Sequence, residues 1–206
     1  MTDLSTPTAR GPYRNGIKRR EQIVESAANV FAEFGYSGGS IRTIAARVGI
    51  SPASLLQHFG SKEGLLEAVL DDWTQTATRV PDDVHGLAYF DAMRRLMDFH
   101  VEHRGLIELF LTMTAEASSP VHPARGFIQR RYALTFEGFM KHLREARDAG
   151  EIQLAEDDIA YEARLMMAVM DGLELQWLID PSVDLTSLYN RCVDESIRRW
   201  KTPGGS

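Results

Sequence analysis

At 206 residues and 23.1 kDa, with 44% apolar and 25% charged residues, the chain has the composition of a soluble globular protein of two unequal domains, which excludes membrane and disordered classes. The net charge of -6 would speak against nucleic acid only if it were evenly spread. Residues 1–66 instead hold eight Lys and Arg (Arg10, Arg14, Lys18, Arg19, Arg20, Arg42, Arg47, Lys62) against five Asp and Glu (Asp3, Glu21, Glu25, Glu33, Glu63), so a basic head precedes an acidic body.

The single cysteine, Cys192, leaves no intrachain disulfide and no cysteine-based zinc cluster, and no cofactor or metal is implied. The opening MTDLSTPTAR lacks the apolar run of a secretory leader, and no stretch is apolar long enough to span a bilayer, so a cytoplasmic location without membrane contact is expected.

In chain order, residues 1–16 contain Pro7, Gly11, Pro12 and Gly16 and read as a flexible N-terminal arm. From Ile17 to Phe34 the apolar positions Ile23, Val24, Ala27, Val30, Phe31 and Phe34 recur at helical spacing. GYSGGS interrupts that helix. Ser40 is placed to N-cap a second helix ending at Gly49, and Ser51-Pro52 is an N-cap with proline in the first turn, opening a third helix to about His58. Ser61 caps a fourth that Pro81 ends. Beyond it the pattern stays helical, with helices expected at roughly 84–102, 105–117, 123–149, 157–179 and 184–200. The chain is therefore expected to be all-α: a helix-turn-helix domain over 17–61, a linking helix over 62–81, and a larger helical domain over 82–206.

The sharpest signal is IRTIAARVGISPASLLQHF. Two short helices crossing steeply need a small residue at their approach, a residue tolerant of positive φ in the turn, and apolar residues that lock them together. Ala45, Gly49 and Leu55 fall in that order, with Ile41, Ile44, Val48 and Ile50 supplying inner contacts. The outer helix would project Ala53, Ser54, Gln57 and His58 toward base edges or phosphates of a major groove. Arg19 at the start of the first helix, Ser40, Arg42 and Thr43 at the start of the second, and Lys62 at the start of the fourth are candidate phosphate contacts. A helical corner buried in an ordinary core has the same pattern, and a helical protein-interaction module built on it would bind no DNA and show no salt dependence.

Residues 19–70 resemble the DNA-binding domain of the TetR family of bacterial regulators. The similarity runs through Phe34-Gly35-Tyr36, Ile44-Ala45-Ala46, Gly49-Ile50-Ser51 and His58-Phe59-Gly60-Ser61-Lys62-Glu63, in family order. It implies three N-terminal helices on double-stranded operator DNA, followed by a helical domain that forms a homodimer and holds a small-molecule effector. It carries over Ser40, Arg42 and Thr43, then Ser51, Ala53, Ser54, Gln57 and His58, and finally Lys62, as DNA contacts. Leu56 stands where the family usually has tyrosine. The family's habit is repression relieved by effector, and a palindromic operator mirrors a two-fold protein.

In the C-terminal part, Phe99, Phe110, Met113, Phe139, Met166 and Met170 form a soft apolar supply suited to a lipophilic effector, though such residues at helical spacing are as readily plain core. The stripes Met170, Leu173 and Trp177 on one helix and Leu188, Val193 and Ile197 on the next are expected dimer contacts. Gly172 within the former suggests a close helix approach. His100 and His103 stand three apart like metal ligands but on a charged helix where such pairs arise by chance. Gly35-Tyr36-Ser37-Gly38-Gly39 satisfies G-x-S-x-G, the motif of a serine hydrolase, yet lacks the preceding strand that chemistry requires. No enzyme is expected.

Overall fold

The structure, a computed structural model, describes residues 11–77, 81, 83–122 and 124–202. Nine helices and no strand occur among the described residues: α1 (Gly11–Gly38), α2 (Ile41–Val48), α3 (Pro52–Phe59), α4 (Lys62–Ala77), α5 (Ala88–Glu102), α6 (Arg104–Glu116), α7 (Arg125–Asp148), α8 (Glu156–Ile179) and α9 (Leu185–Lys201). The chain divides into two compact units, Met1–Asp72 and Trp73–Ser206.

The first unit is closed by local chemistry. Helix α1 is described from Gly11, so residues 11–16 of the stretch expected to be an arm are helical. The rest of that expected arm, residues 1–10, lies outside the described residues. Gly35, at φ 69° and ψ 170°, kinks α1 near its end. The Ser40 hydroxyl accepts from the Thr43 amide at 3.0 Å to start α2, and the Ser51 hydroxyl accepts from the Ser54 amide at 3.0 Å to start α3. Gly49 sits at φ 71° and ψ 40°, where its amide and that of Ile50 return to the carbonyls of Ala46 and Ala45. That closure turns the chain sharply, and a side chain there would be strained. Ile23, Val30, Ile44, Ala45, Leu55 and Leu65 are fully enclosed and form the unit's core.

The second unit is built around α8, which packs on α6, α7 and α9, while α5 packs on α6 and α9. An aromatic cluster fills its interior: Phe90 lies 5.1 Å from Trp200 and Tyr89 lies 5.4 Å from Phe139 between ring centroids. Charge placement suits the helix dipoles, with Glu156, Asp157 and Asp158 in the first turn of α8 and Arg198, Arg199 and Lys201 in the last turn of α9. The Arg104 guanidinium donates to the carbonyls of Trp177 and Leu178 at 3.3 and 2.6 Å, closing the open C-terminus of α8.

From α5 onward the predicted helix boundaries hold within a few residues, and the largest shift among them has a visible cause. The fifth helix starts at Ala88 rather than 84, because the Glu145 and Glu151 carboxylates accept from the amides of Gly86 and Leu87 at 3.2 and 3.1 Å and hold that segment as a turn. At Gly172 a Cβ would meet nothing within 4 Å, so no helix of this chain approaches closely there.

Candidate functional site

Helix α3 turns Leu55 wholly inward and leaves Ala53, Leu56, Gln57 and His58 exposed, with Ser54 half-buried. The face expected to read bases is thus free within the first unit. Neither α2 nor α3 has an acidic residue in its first turn. Their N-termini keep an uncompensated positive end, which favours an anion such as phosphate. Ser40, Arg42 and Thr43 come together at the start of α2, where Arg42 is exposed and the hydroxyls of Ser40 and Thr43 lie 2.8 Å apart. Ser40 and Ser51 therefore serve as caps, and any DNA contact they make is added to that structural role.

Two cations are steered by aromatic rings, which periodicity could not reveal. The Arg20 guanidinium sits 5.2 Å from the Phe59 ring centre at the end of α3. The Lys62 ammonium sits 4.4 Å from the Tyr36 ring centre, and the Tyr36 hydroxyl donates to Glu63 at 3.0 Å. Burial lowers the Lys62 pKa against the raising influence of Glu63. Arg19 is drawn elsewhere. It lines a polar groove with Gln22, Asn29 and Arg47 and donates to the Gln22 amide oxygen at 3.3 Å.

The second unit contains a cleft with about 340 Å³ of space free of protein atoms, its mouth included. Its interior has room for about one or two waters. Phe110, Met167 and Met170 form an apolar wall, and His100, Arg131, Tyr132, Thr135, Asp171 and Glu174 a polar one. Of the six residues expected to touch an effector, Phe110 and Met170 line the cleft. Met113, Phe139 and Met166 are instead enclosed core, and Phe99 stacks on His103 at 3.8 Å. Met113, Phe139 and Met166 fill space between helices because α6, α7 and α8 present them inward, on the ordinary hydrophobic ground, while Phe99 is half-buried.

The polar wall was missed, although a signal existed. Asp171 and Glu174 occupy the spacing of Met167 and Met170 along α8, as Arg131 and Tyr132 follow Ile128 on α7. Charges falling on an apolar stripe mark a buried polar group that must find partners. His100 Nδ1 lies 2.6 Å from Glu174 Oε1, with the two side chains 3% and 2% exposed. The Tyr132 hydroxyl donates to Asp171 at 2.7 Å. Burial, followed by the charge of Glu174, holds the Asp171 carboxyl above its usual range despite that hydrogen bond and the opposing charge of Arg131. Burial likewise pushes the Tyr132 hydroxyl upward, so it remains a donor.

The expected dimer stripes also change. Trp177 and Val193 are buried inside the chain, Met170 lines the cleft, and Leu173 and Ile197 are half-buried; of the set, Leu188 is exposed. Trp177 and Val193 face inward because α8 and α9 pack on each other and on α5 to α7. The opposite side of α8 carries Tyr161, Ala168, Leu175 and Ile179, all exposed, with Gly172 opening onto empty space.

The remaining motifs dissolve. Ser37 lies in the helical tail of α1 with no strand before it, so the hydrolase elbow is absent. His103 Nδ1 lies 2.8 Å from the Phe99 carbonyl while His100 meets Glu174, and no group of three potential metal ligands occurs among the described residues. No described helix is long and apolar enough to cross a membrane.

Residues 23–69 match the family model of bacterial regulatory proteins, tetR family. The HTH-type transcriptional regulator UidR of Escherichia coli K12 is 26% identical over 156 residues, covering 75% of this chain and 79% of that protein. The HTH-type transcriptional repressor KstR2 of Rhodococcus jostii is 26% identical over 189 residues, covering 91% of this chain and 82% of its own. Among solved structures, the SmeT–triclosan complex aligns with a TM-score of 0.70 at 21% identity, over 91% of this chain and 93% of that one; SmeT is the repressor of a Stenotrophomonas maltophilia efflux pump.

Proposed function

This chain belongs to the TetR family of bacterial regulators, transcriptional regulators and not enzymes, and we propose that it is a cytoplasmic homodimeric repressor released from a palindromic operator by a small molecule. The observation that carries the DNA half is the outward face of α3, Ala53, Gln57 and His58, set beside two helix starts free of acidic side chains. Gln57 and His58 reach base edges in the major groove, while Ser51 and Ser54 at the helix start, and Ala53 by its methyl group, fix the approach. Ser40, Arg42, Thr43, Arg19 and Lys62 hold phosphates.

Selection of bound sequences from a random duplex pool, followed by binding measurements across salt concentrations, tests this reading. Recovery of an inverted repeat whose affinity falls steeply between 50 and 200 mM salt, about a thousandfold or more if six or more phosphates are held, is the expected result. No enrichment and no salt dependence would favour the interaction-module reading.

Two copies meet, in our reading, through the outer face of α8 with Leu188 of α9. Tyr161, Ala168 and Leu175 are seven apart, and Ala168, Gly172, Leu175 and Ile179 follow at four, three and four. That is one helix face, and Ile179 is 76% and Leu175 51% exposed. A glycine in mid-helix costs about 1 kcal/mol relative to alanine. A partner's helix drawn close at Gly172 gives that cost a reason that this chain alone does not.

The effector site is the cleft of the second unit. Support comes from its mixed lining and from the fold neighbour solved with triclosan. Occupancy shifts the spacing of the two recognition helices away from the roughly 34–36 Å that successive grooves on one DNA face require. Helix α4, which runs through the boundary between the units, transmits the shift. A screen of small molecules for loss of operator binding tests this half: if saturating occupancy of the cleft leaves operator affinity unchanged, the release mechanism fails and DNA binding stands.

A further inference from the structure

The geometry points to an organic cation as the effector: a protonated amine on an apolar body. The inference rests on the sensor reading above and deepens it by naming the ligand's charge.

The cleft has two unlike walls. Phe110, Met167 and Met170 offer a polarisable apolar surface, suited to ring or alkyl groups. Opposite them the charges decide the sign. Two carboxylates, Asp171 and Glu174, share one permanent cation, Arg131, whose guanidinium lies 5.1 Å from the Phe110 ring centre. Glu174 is engaged with the His100 imidazole at 2.6 Å, and Asp171 is met by a neutral hydroxyl donor, Tyr132, at 2.7 Å. With His100 neutral, the lining carries one net negative charge; with His100 protonated, it is balanced. In neither state does the cleft hold a surplus cation for an incoming carboxylate or phosphate. An anion would add a like charge where water screens poorly, and such charges are penalised there.

An ammonium gains on both walls. Placed at Asp171, it adds a second cation to a lining where Arg131 alone serves two carboxylates, while Met167 and Met170 take up its apolar body. The raised pKa of Asp171 agrees with this: burial and the Glu174 carboxylate keep its charge costly even with Tyr132 and Arg131 acting the other way. An alcohol of the same shape can accept and donate hydrogen bonds but leaves the net negative charge of the lining as it was.

A matched series tests this on the full chain: 2-naphthylmethylamine, 2-naphthylmethanol and 2-naphthoic acid, titrated calorimetrically at one pH and ionic strength. The amine is expected to bind about tenfold or more tighter than the alcohol, and the naphthoate more weakly than the alcohol. Asp171→Asn should bring the amine within about threefold of the alcohol, while Tyr132→Phe, which keeps the carboxylate, should retain the preference. Naphthoate binding as tightly as the amine, or an amine preference that survives Asp171→Asn, overturns the inference. The ranking on the unaltered chain decides the sign even if a variant fails to fold.

Met167→Trp, which fills the cleft, separates this inference from the sensor reading beneath it. Alcohol or naphthoate binding that is lost in Met167→Trp, with the amine weaker than both, leaves the sensor standing and removes only the cation. Absence of binding by all three, or binding that a folded Met167→Trp chain retains, removes the cleft as sensor and the cation with it.

Discussion

Asp171 shows how one residue can trade stability for a site. Its carboxyl is held above the ordinary value of 3.8, chiefly by burial, so the folded chain binds its proton more tightly than the unfolded chain does. The contribution to stability is then full at pH below 3.8 and is lost as pH rises through the elevated folded value. Asp171→Asn keeps an acceptor for the Tyr132 hydroxyl and cannot ionise. We expect it to raise the thermal midpoint near neutral pH and to lose that gain in acid; thermal unfolding from pH 3 to 8 checks the sign, and a variant less stable than the parent at pH 7 contradicts it.

At the same scale, Gln57 and Arg42 separate reading from gripping. Both are exposed, one on the recognition helix and one at an acid-free helix start. Gln57→Ala should cost about 1–3 kcal/mol on the preferred operator and relax selectivity at one base position. Arg42→Ala should weaken binding to all sequences alike and reduce the slope of log affinity against log salt by about one. Binding curves for a panel of single-base operator variants at several salt concentrations distinguish these results.

Among elements, the joint between α2 and α3 matters most, because it sets the angle at which α3 leaves the domain. Leu55 is fully enclosed, so Leu55→Ala is expected to cost about 2–5 kcal/mol. Gly49 acts on geometry instead of volume: Gly49→Ala, at φ 71°, strains the backbone by roughly 1–2 kcal/mol. Chemical denaturation measures both losses. If Gly49→Ala proves as stable as the parent, the turn does not depend on that conformation.

For the whole molecule, the outer face of α8 decides how many recognition helices the operator meets. Leu175→Arg or Ile179→Glu places charge on an exposed apolar row without disturbing the chain's own core. Sedimentation should show a monomer with little loss of monomer stability, and operator affinity should fall by a hundredfold or more, roughly the contribution of a second linked contact. A dimer that survives both substitutions would move the interface elsewhere.

What one chain's order of residues determines here is chiefly local. Ser40 and Ser51 cap and Gly49 turns through contacts no more than a few residues apart; helical periodicity likewise marked α6 to α9 to within two residues. The identity of the DNA-binding domain was legible for the same reason, since its motifs occupy one continuous stretch. Which side of α8 faces inward could not be read, because Trp177 and Tyr161 both sit at helical spacing and only packing against α6, α7 and α9 chooses between them. The charged wall of the cleft was decided at that level too. His100, Arg131 and Glu174 come from three helices far apart in the chain, and a buried charge finds its partner in space, not in order.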